Sequence, residues 1–132
     1  MRRGAAKASA GGFAVVNGLQ YDQYDGQIRP LDMPYPGNNL LSLASGGAIF
    51  IRDPHRTLVD EQLNGGAYRP LSAADWKLIL PYLEENQRLF GVRIDRDLLT
   101  VDGILTSPQV VYRKVLPRKD AELEAELEGM GE

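Results

Sequence analysis

The chain has no cysteine, which excludes disulfides, iron–sulfur ligation, thiolate metal sites and cysteine nucleophiles at once. It has a single histidine and a single tryptophan. It has no excess of basic charge: the net charge is −3, so electrostatics give no support to a general nucleic-acid role. No apolar run approaches the roughly 20 residues that span a bilayer. The opening "MRRGAAKASAGG" carries two arginines and a lysine but no apolar core of signal-peptide length. These features lead to the expectation of a cytoplasmic protein that engages neither membrane nor nucleic acid.

What the chain does have is ordinary domain-forming composition and an unusual supply of glycine. Its 132 residues, 43% hydrophobic and 25% charged, suffice for one domain that buries roughly two-thirds of its unfolded surface. Fourteen glycines and eight prolines concentrate turns in the first 70 residues. Three Gly–Gly pairs stand out: Gly11–Gly12, Gly46–Gly47 and Gly65–Gly66, spaced 35 and then 19 residues apart. Each precedes a β-type run, in "AGGFAVV", "SGGAIFI" and "NGGAYRP". Glycine tolerates positive φ and lets another backbone approach closely. The pairs therefore read either as the corners of stacked solenoid coils or as loop glycines of an α+β domain.

The period changes near residue 70. "LSAADWKLILPYLEENQRLFG" (71–91) reads as a helix capped by Ser72 with Asp75 in a capping box and closed by Gly91. Trp76, Ile79, Leu80, Leu83 and Phe90 form its apolar stripe, and Pro81 is expected to kink it. "FAVVNG" (13–18) and Ala48–Ile51 read as strands, the second ended by Asp53–Pro54. A short hairpin is expected around Asp25–Gly26 and another around Asp102–Gly103. "SPQVVYRKVLP" (107–117) reads as a helix started by Ser107–Pro108 and stopped by Pro117. The acidic tail is expected to fray or be disordered. The expected domain layout is solenoid coils over 1–70, a helical cap with a small hairpin over 71–117, and the tail over 118–132.

Taken together, "GGFAVVNGLQYD", "YPGNNLLSLASGGAIFIRDPH", "EQLNGGAYRPLSAADWKLILPYLEENQRLFGV" and "LLTVDGILTSPQVVYRKV" resemble the C-terminal end of the glutamate-synthase-type GXGXG domain. The resemblance covers roughly residues 8–116. "SGGAIFIRD" corresponds to the last repeat and the helix at 71–91 to the helix that closes the solenoid. The strict Gly-x-Gly-x-Gly repeat is absent, and the length is too short for the many coils of a complete domain, which leaves a truncated reading frame, a separately encoded end piece or a shortened relative as the expectations. The resemblance implies a mainly β fold, a short right-handed β-helix followed by C-terminal helices. It further implies a non-catalytic scaffolding role that braces glutaminase and flavin-dependent synthase components. No cofactor is then expected on this chain. FMN and an iron–sulfur cluster are implied only on partner domains, the partners being amidotransferase and flavoprotein subunits of glutamate-synthase type. An open coil edge invites self-association. A similar domain occurs as a subunit of formylmethanofuran dehydrogenase.

Residue chemistry argues weakly for catalysis. His55, in "RDPHR", has no evident partners and reads as a surface-loop residue. Ser9, Ser42 and Ser45 lie in no Gly-x-Ser-x-Gly context. Asp22 and Asp25 read as turn residues. Tyr21, Tyr24, Arg29 and Tyr35 form a candidate interaction surface, since aromatics and Arg favour contact patches; the alternative is packing under the proline-rich loop. "YRKVLPRK" (112–119) is a basic stretch, read as a solvated helix end or a contact for an acidic partner. A second reading of the whole chain, from a different class, is an autonomous module that binds a small ligand or anion through the Gly–Gly turns.

Overall fold

The runs around residues 13–16 and 48–51 are apolar at successive positions because the strands they form are covered on both faces. The computed structural model describes residues 5–7, 13–21, 24–31, 33, 35 and 47–130. Five strands make one mixed sheet: β1 (Ala5–Lys7), β2 (Ala14–Val16), β5 (Ile49–Arg52), β9 (Tyr112–Pro117) and β6 (Gly66–Arg69), in that spatial order. Only β2 and β5 run parallel; β1–β2, β5–β9 and β9–β6 are antiparallel. Two small hairpins stand apart from it, β3 (Leu19–Tyr21) with β4 (Ile28–Pro30), and β7 (Thr100–Val101) with β8 (Ile104–Leu105).

This sheet corrects the expected fold class. A right-handed β-helix stacks parallel strands from successive coils, whereas here β9, late in the chain, lies antiparallel between β5 and β6. The molecule is a mixed α/β domain. The open coil edge expected for self-association therefore has no counterpart; among the described residues the edges of the sheet are β1 and β6. Of the glycine pairs, Gly11, Gly12 and Gly46 lie outside the described residues. Gly65 has φ +87° with open space at its Cβ position, and follows Asn64 at φ 48°. The two left-handed residues turn the chain from α1 (Asp60–Leu63) into β6, where Gly66 is buried as the first strand residue. The pair is thus a helix-to-strand turn of the kind Gly favours. Gly47 directly precedes the β5 region, and Ala48 O accepts from Ala14 N at 3.0 Å.

The side chains alternate between two cores. Val15, Phe50 and Tyr112 face a cluster completed by Phe13, Leu71, Ile79 and Leu83. This places α2 (Ala73–Phe90) on that face. Ala14, Val16, Ile49, Ile51 and Val115 face the other cluster, closed by Leu58 and Leu63, with Tyr35 and Tyr68 packed against it. Helix α2 follows the expectation closely. Ser72 Oγ accepts from Asp75 N at 3.0 Å, Asp75 Oδ2 accepts from Ser72 N at 2.9 Å, and Gly91 at φ 73° ends the helix. It continues unbroken through Pro81, which is exposed, so the carbonyl that loses its donor can be solvated. Phe90 is half exposed at the helix end.

The segment 107–117 departs from expectation. Only Pro108–Val111 is helical (α3); Tyr112–Pro117 is β9, at the heart of the sheet. The basic stretch read as a helix end holds two cations on opposite faces of that strand, and their acidic partners are internal. Lys114 Nζ lies 3.1 Å from Asp75 Oδ2 and 2.8 Å from Glu124 Oε2. Burial pushes the Lys114 ammonium down, but the hydrogen bonds to Glu124 and Asp75 outweigh it and hold it above the usual lysine value. The tail also departs: Arg118–Met130 forms α4, which packs on β6 and β9. Arg69 reaches Glu124 at 3.4 Å and also pairs with Glu128. The acidic residues that suggested a solvated tail are thus the groups that fasten it.

A Lys114→Met variant leaves Asp75 and Glu124 without the cation between them, Glu124 keeping only its longer contact to Arg69. It is expected to lose about 3 kcal/mol of stability, read by urea denaturation, and to accelerate amide exchange across α4 more than across α2. Equal protection of α4 in both proteins would show that the helix is held by other contacts.

Candidate functional site

Where β5 ends, three segments enclose a cavity of about 120 Å³. The first is the base of the β3–β4 hairpin, with Gly18, Pro30 and Leu31; Leu31 N donates to Gly18 O at 2.7 Å. The second is the end of β5 and its following loop, Arg52–His55 with Thr57. The third is the β7–β8 hairpin, Thr100–Asp102.

Asp53 builds the loop. It is 1% exposed and saturated with donors: Thr57 N at 2.8 Å, Thr57 Oγ1 at 3.1 Å, Leu58 N at 3.2 Å and Arg113 Nη1 at 3.0 Å. Burial alone would raise its carboxyl. The donors from Thr57, Arg113 and Leu58 outweigh burial and hold it below the usual carboxylate range. Arg113 in turn lies over the Tyr68 ring at 3.5 Å from its centroid. Tyr68 Oη is buried with no partner among the described residues.

Arg52 is the unusual group. It is 6% exposed, yet no carboxylate lies within ion-pair distance of it among the described residues. Its Nε donates to Leu98 O at 2.8 Å and Nη2 to Thr100 O at 3.4 Å. Both carbonyls flank the start of the β7–β8 hairpin, beyond a single π-type turn at Ile94–Leu98. Nη1 has no protein partner among the described residues. Burial pushes the guanidinium down, opposed by Tyr112 and by Asp97 at longer range, but arginine stays protonated in proteins. Asp97 is itself bound to Arg96 and to Arg93 N. Tyr112, fully buried, has its hydroxyl pushed up by burial and donates to Asn17 Oδ1 at 2.6 Å. That bond fixes the loop carrying Gly18 against β9.

His55 and Asp102 meet across the cavity, Nε2 to Oδ2 at 3.0 Å, and both are exposed. Asp102 sits at φ 51° in its turn. Forty-seven residues separate the two, so the pairing was invisible in "RDPHR" alone. The hydroxyls nearby are committed: Thr57 Oγ1 donates to Asp53, and Thr100 Oγ1 to Asp95 O at 2.7 Å. Among the described residues no group of three His, Asp or Glu side chains is disposed to hold a metal. No described helix is long and apolar enough to cross a membrane.

Of the residues singled out from sequence as a candidate surface, Tyr21, Tyr24 and Arg29 share the β3–β4 hairpin. Tyr24 is fully exposed at the β3–β4 turn and Arg29 is on β4, where Nη1 bonds Asp25 Oδ1 at 3.3 Å. Tyr35 packs against the second core cluster, and its carbonyl accepts from Gln62 Nε2 at 2.5 Å. The backbone of Tyr21 ends β3; its side chain lies outside the described residues, as do Ser9, Ser42, Ser45 and Asp22. Sequence reading missed Arg52 and the anchoring role of Asp53. "DPHRTL" carries a signal for the latter, an Asp followed at four positions by Thr in a loop.

Asp53→Asn is expected to cost about 3 kcal/mol at neutral pH by removing the buried charge that the partly buried Arg113 and the loop donors face. In the native chain the folded-state value lies below the unfolded one. The carboxylate therefore contributes fully above about pH 4 and less as pH falls through the depressed value. The variant should lose that part of the acid sensitivity in denaturation curves taken across pH 2–5; an unchanged pH profile would assign acid unfolding to other carboxylates. Compared with models of protein families, with curated proteins and with solved structures, the chain finds no match in any of the three.

Proposed function

We propose that this chain is a non-catalytic binding module whose small ligand occupies the cavity between the β5 loop and the β7–β8 hairpin. The observation that carries this reading is Arg52, a nine-tenths buried cation on the cavity wall whose protein hydrogen bonds go to carbonyl oxygens. A buried charge without a counter-charge is costly, so its retention calls for a reason beyond packing. The committed hydroxyls and the lack of a nucleophile beside His55 among the described residues support binding over catalysis.

The scaffolding role in a glutamate-synthase-like assembly drew on stacked coils and a free coil edge. The mixed antiparallel sheet supplies neither, which leaves that role with only the residue patterns behind it. The binding reading needs no partner subunit, though it moves the ligand from the Gly–Gly turns to the end of β5.

An amide-detected NMR screen of small polar and apolar fragments against the full chain tests it. Saturable shifts are expected at Gly18, Leu31, His55, Thr57 and Thr100–Asp102. A screen with no shifts there, alongside co-purification of amidotransferase or flavoprotein subunits with the tagged chain, would overturn the reading in favour of the scaffold.

A further inference from the structure

Resting on that reading, we infer that the ligand is a small monocarboxylate whose carboxylate meets Arg52. Two carboxylates line the cavity, and each has a hydrogen-bonded neighbour. Asp53 is matched by Arg113, at 3.0 Å, and Asp102 is bonded to His55. Arg52 lines the cavity with no carboxylate within ion-pair distance among the described residues, and Asp97 acts on it only at longer range.

The geometry points the same way. Nε and Nη2 are already turned to the carbonyls of Leu98 and Thr100. Tyr68 Oη is the sole buried side-chain nitrogen or oxygen without a partner among the described residues. Nη1, which has no partner either, therefore keeps some exposure, and Arg52 lines the cavity. One donor edge of a guanidinium suits a carboxylate oxygen. A dianionic phosphate would bring a second negative charge toward the Asp53 and Asp102 carboxylates that line the same cavity.

Size bounds the rest of the molecule. A volume of about 120 Å³ is several times the roughly 10–15 Å³ that admits one water on the same measure. The cavity itself therefore holds a group on the order of eight non-hydrogen atoms. Val101 and Leu31 offer apolar wall for a short carbon chain.

Butyrate and butyramide form a matched pair of nearly equal shape, and the full chain is titrated with each, and with inorganic phosphate, by NMR at constant ionic strength. Butyrate is expected to shift the Thr100–Asp102 amides and the Arg52 side-chain Nε–H, at least tenfold more tightly than butyramide. Arg52→Gln should erase that preference, and Arg52→Lys should retain part of it. Should the glutamine variant fail to fold, the wild-type comparison still decides. Equal binding of butyramide would overturn the carboxylate assignment while leaving the cavity as a binding site. Tighter binding of phosphate would overturn the monoanion. No cavity shifts with any of the three, and none in the fragment screen, would overturn both this inference and the function it rests on.

Discussion

Two adjacent cations on β9, Arg113 and Lys114, set conditions that the rest of the molecule meets. Neighbouring strand residues point to opposite faces, so each cation enters a different core and each needs a carboxylate there. Arg113 finds Asp53 at the end of β5, and Lys114 finds Asp75 at the cap of α2 and Glu124 on α4. These pairs draw the β5 loop, the main helix and the terminal helix onto one strand. Their net contribution to stability over an apolar core is small, but breaking one leaves a charge unmatched. In the order β5–β9–β6 both cations are satisfied.

The cavity is a product of the same arrangement. Asp53 folds its loop back through Thr57 and Leu58 and ties it to β9 through Arg113, and that loop carries Thr57 and His55 to the cavity wall. The Tyr112–Asn17 bond, one residue before Arg113, brings the Gly18 turn to the opposite side. Arg52 is left at the junction, bound to carbonyls instead of acids. Among the described residues, the buried polar side chains of Asn17, Arg52, Asp53, Gln62 and Lys114 all have partners. Arg52 is the charged member whose hydrogen-bonded partners carry no opposite charge.

Local structure was legible in the chain. Ser72, Asp75 and Gly91 bound α2 as their chemistry requires, and the Asp25–Gly26 and Asp102–Gly103 turns make hairpins. The apolar runs at 13–16 and 48–51 make strands. Topology was not legible, because two-sided burial gives β2 and β5 the same continuous apolar pattern that a solenoid strand would have. Tyr112–Pro117 was hidden for a related reason. A strand with Arg and Lys at its centre shows no period-2 alternation of apolar and polar residues, and the Ser-Pro before it signals a helix, which lasts one turn. Of the site, Asp53 left a loop signature, whereas Arg52 reads as an ordinary solvated strand end until its burial is known. His55 and Asp102 come together only through the fold.

The most direct measurement is a map of interstrand Hα–Hα and amide NOEs in the labelled full chain. The account predicts antiparallel contacts between Ile49 and Val115 and between Ile51 and Arg113, and between Ala67 and Leu116 on the other side, with β9 between β5 and β6. Parallel contacts joining the runs at 14–16, 49–51 and 67–69 in succession, with 112–117 outside the sheet, would contradict it. They would restore the stacked coils and remove both the cation pairing and the cavity built on it.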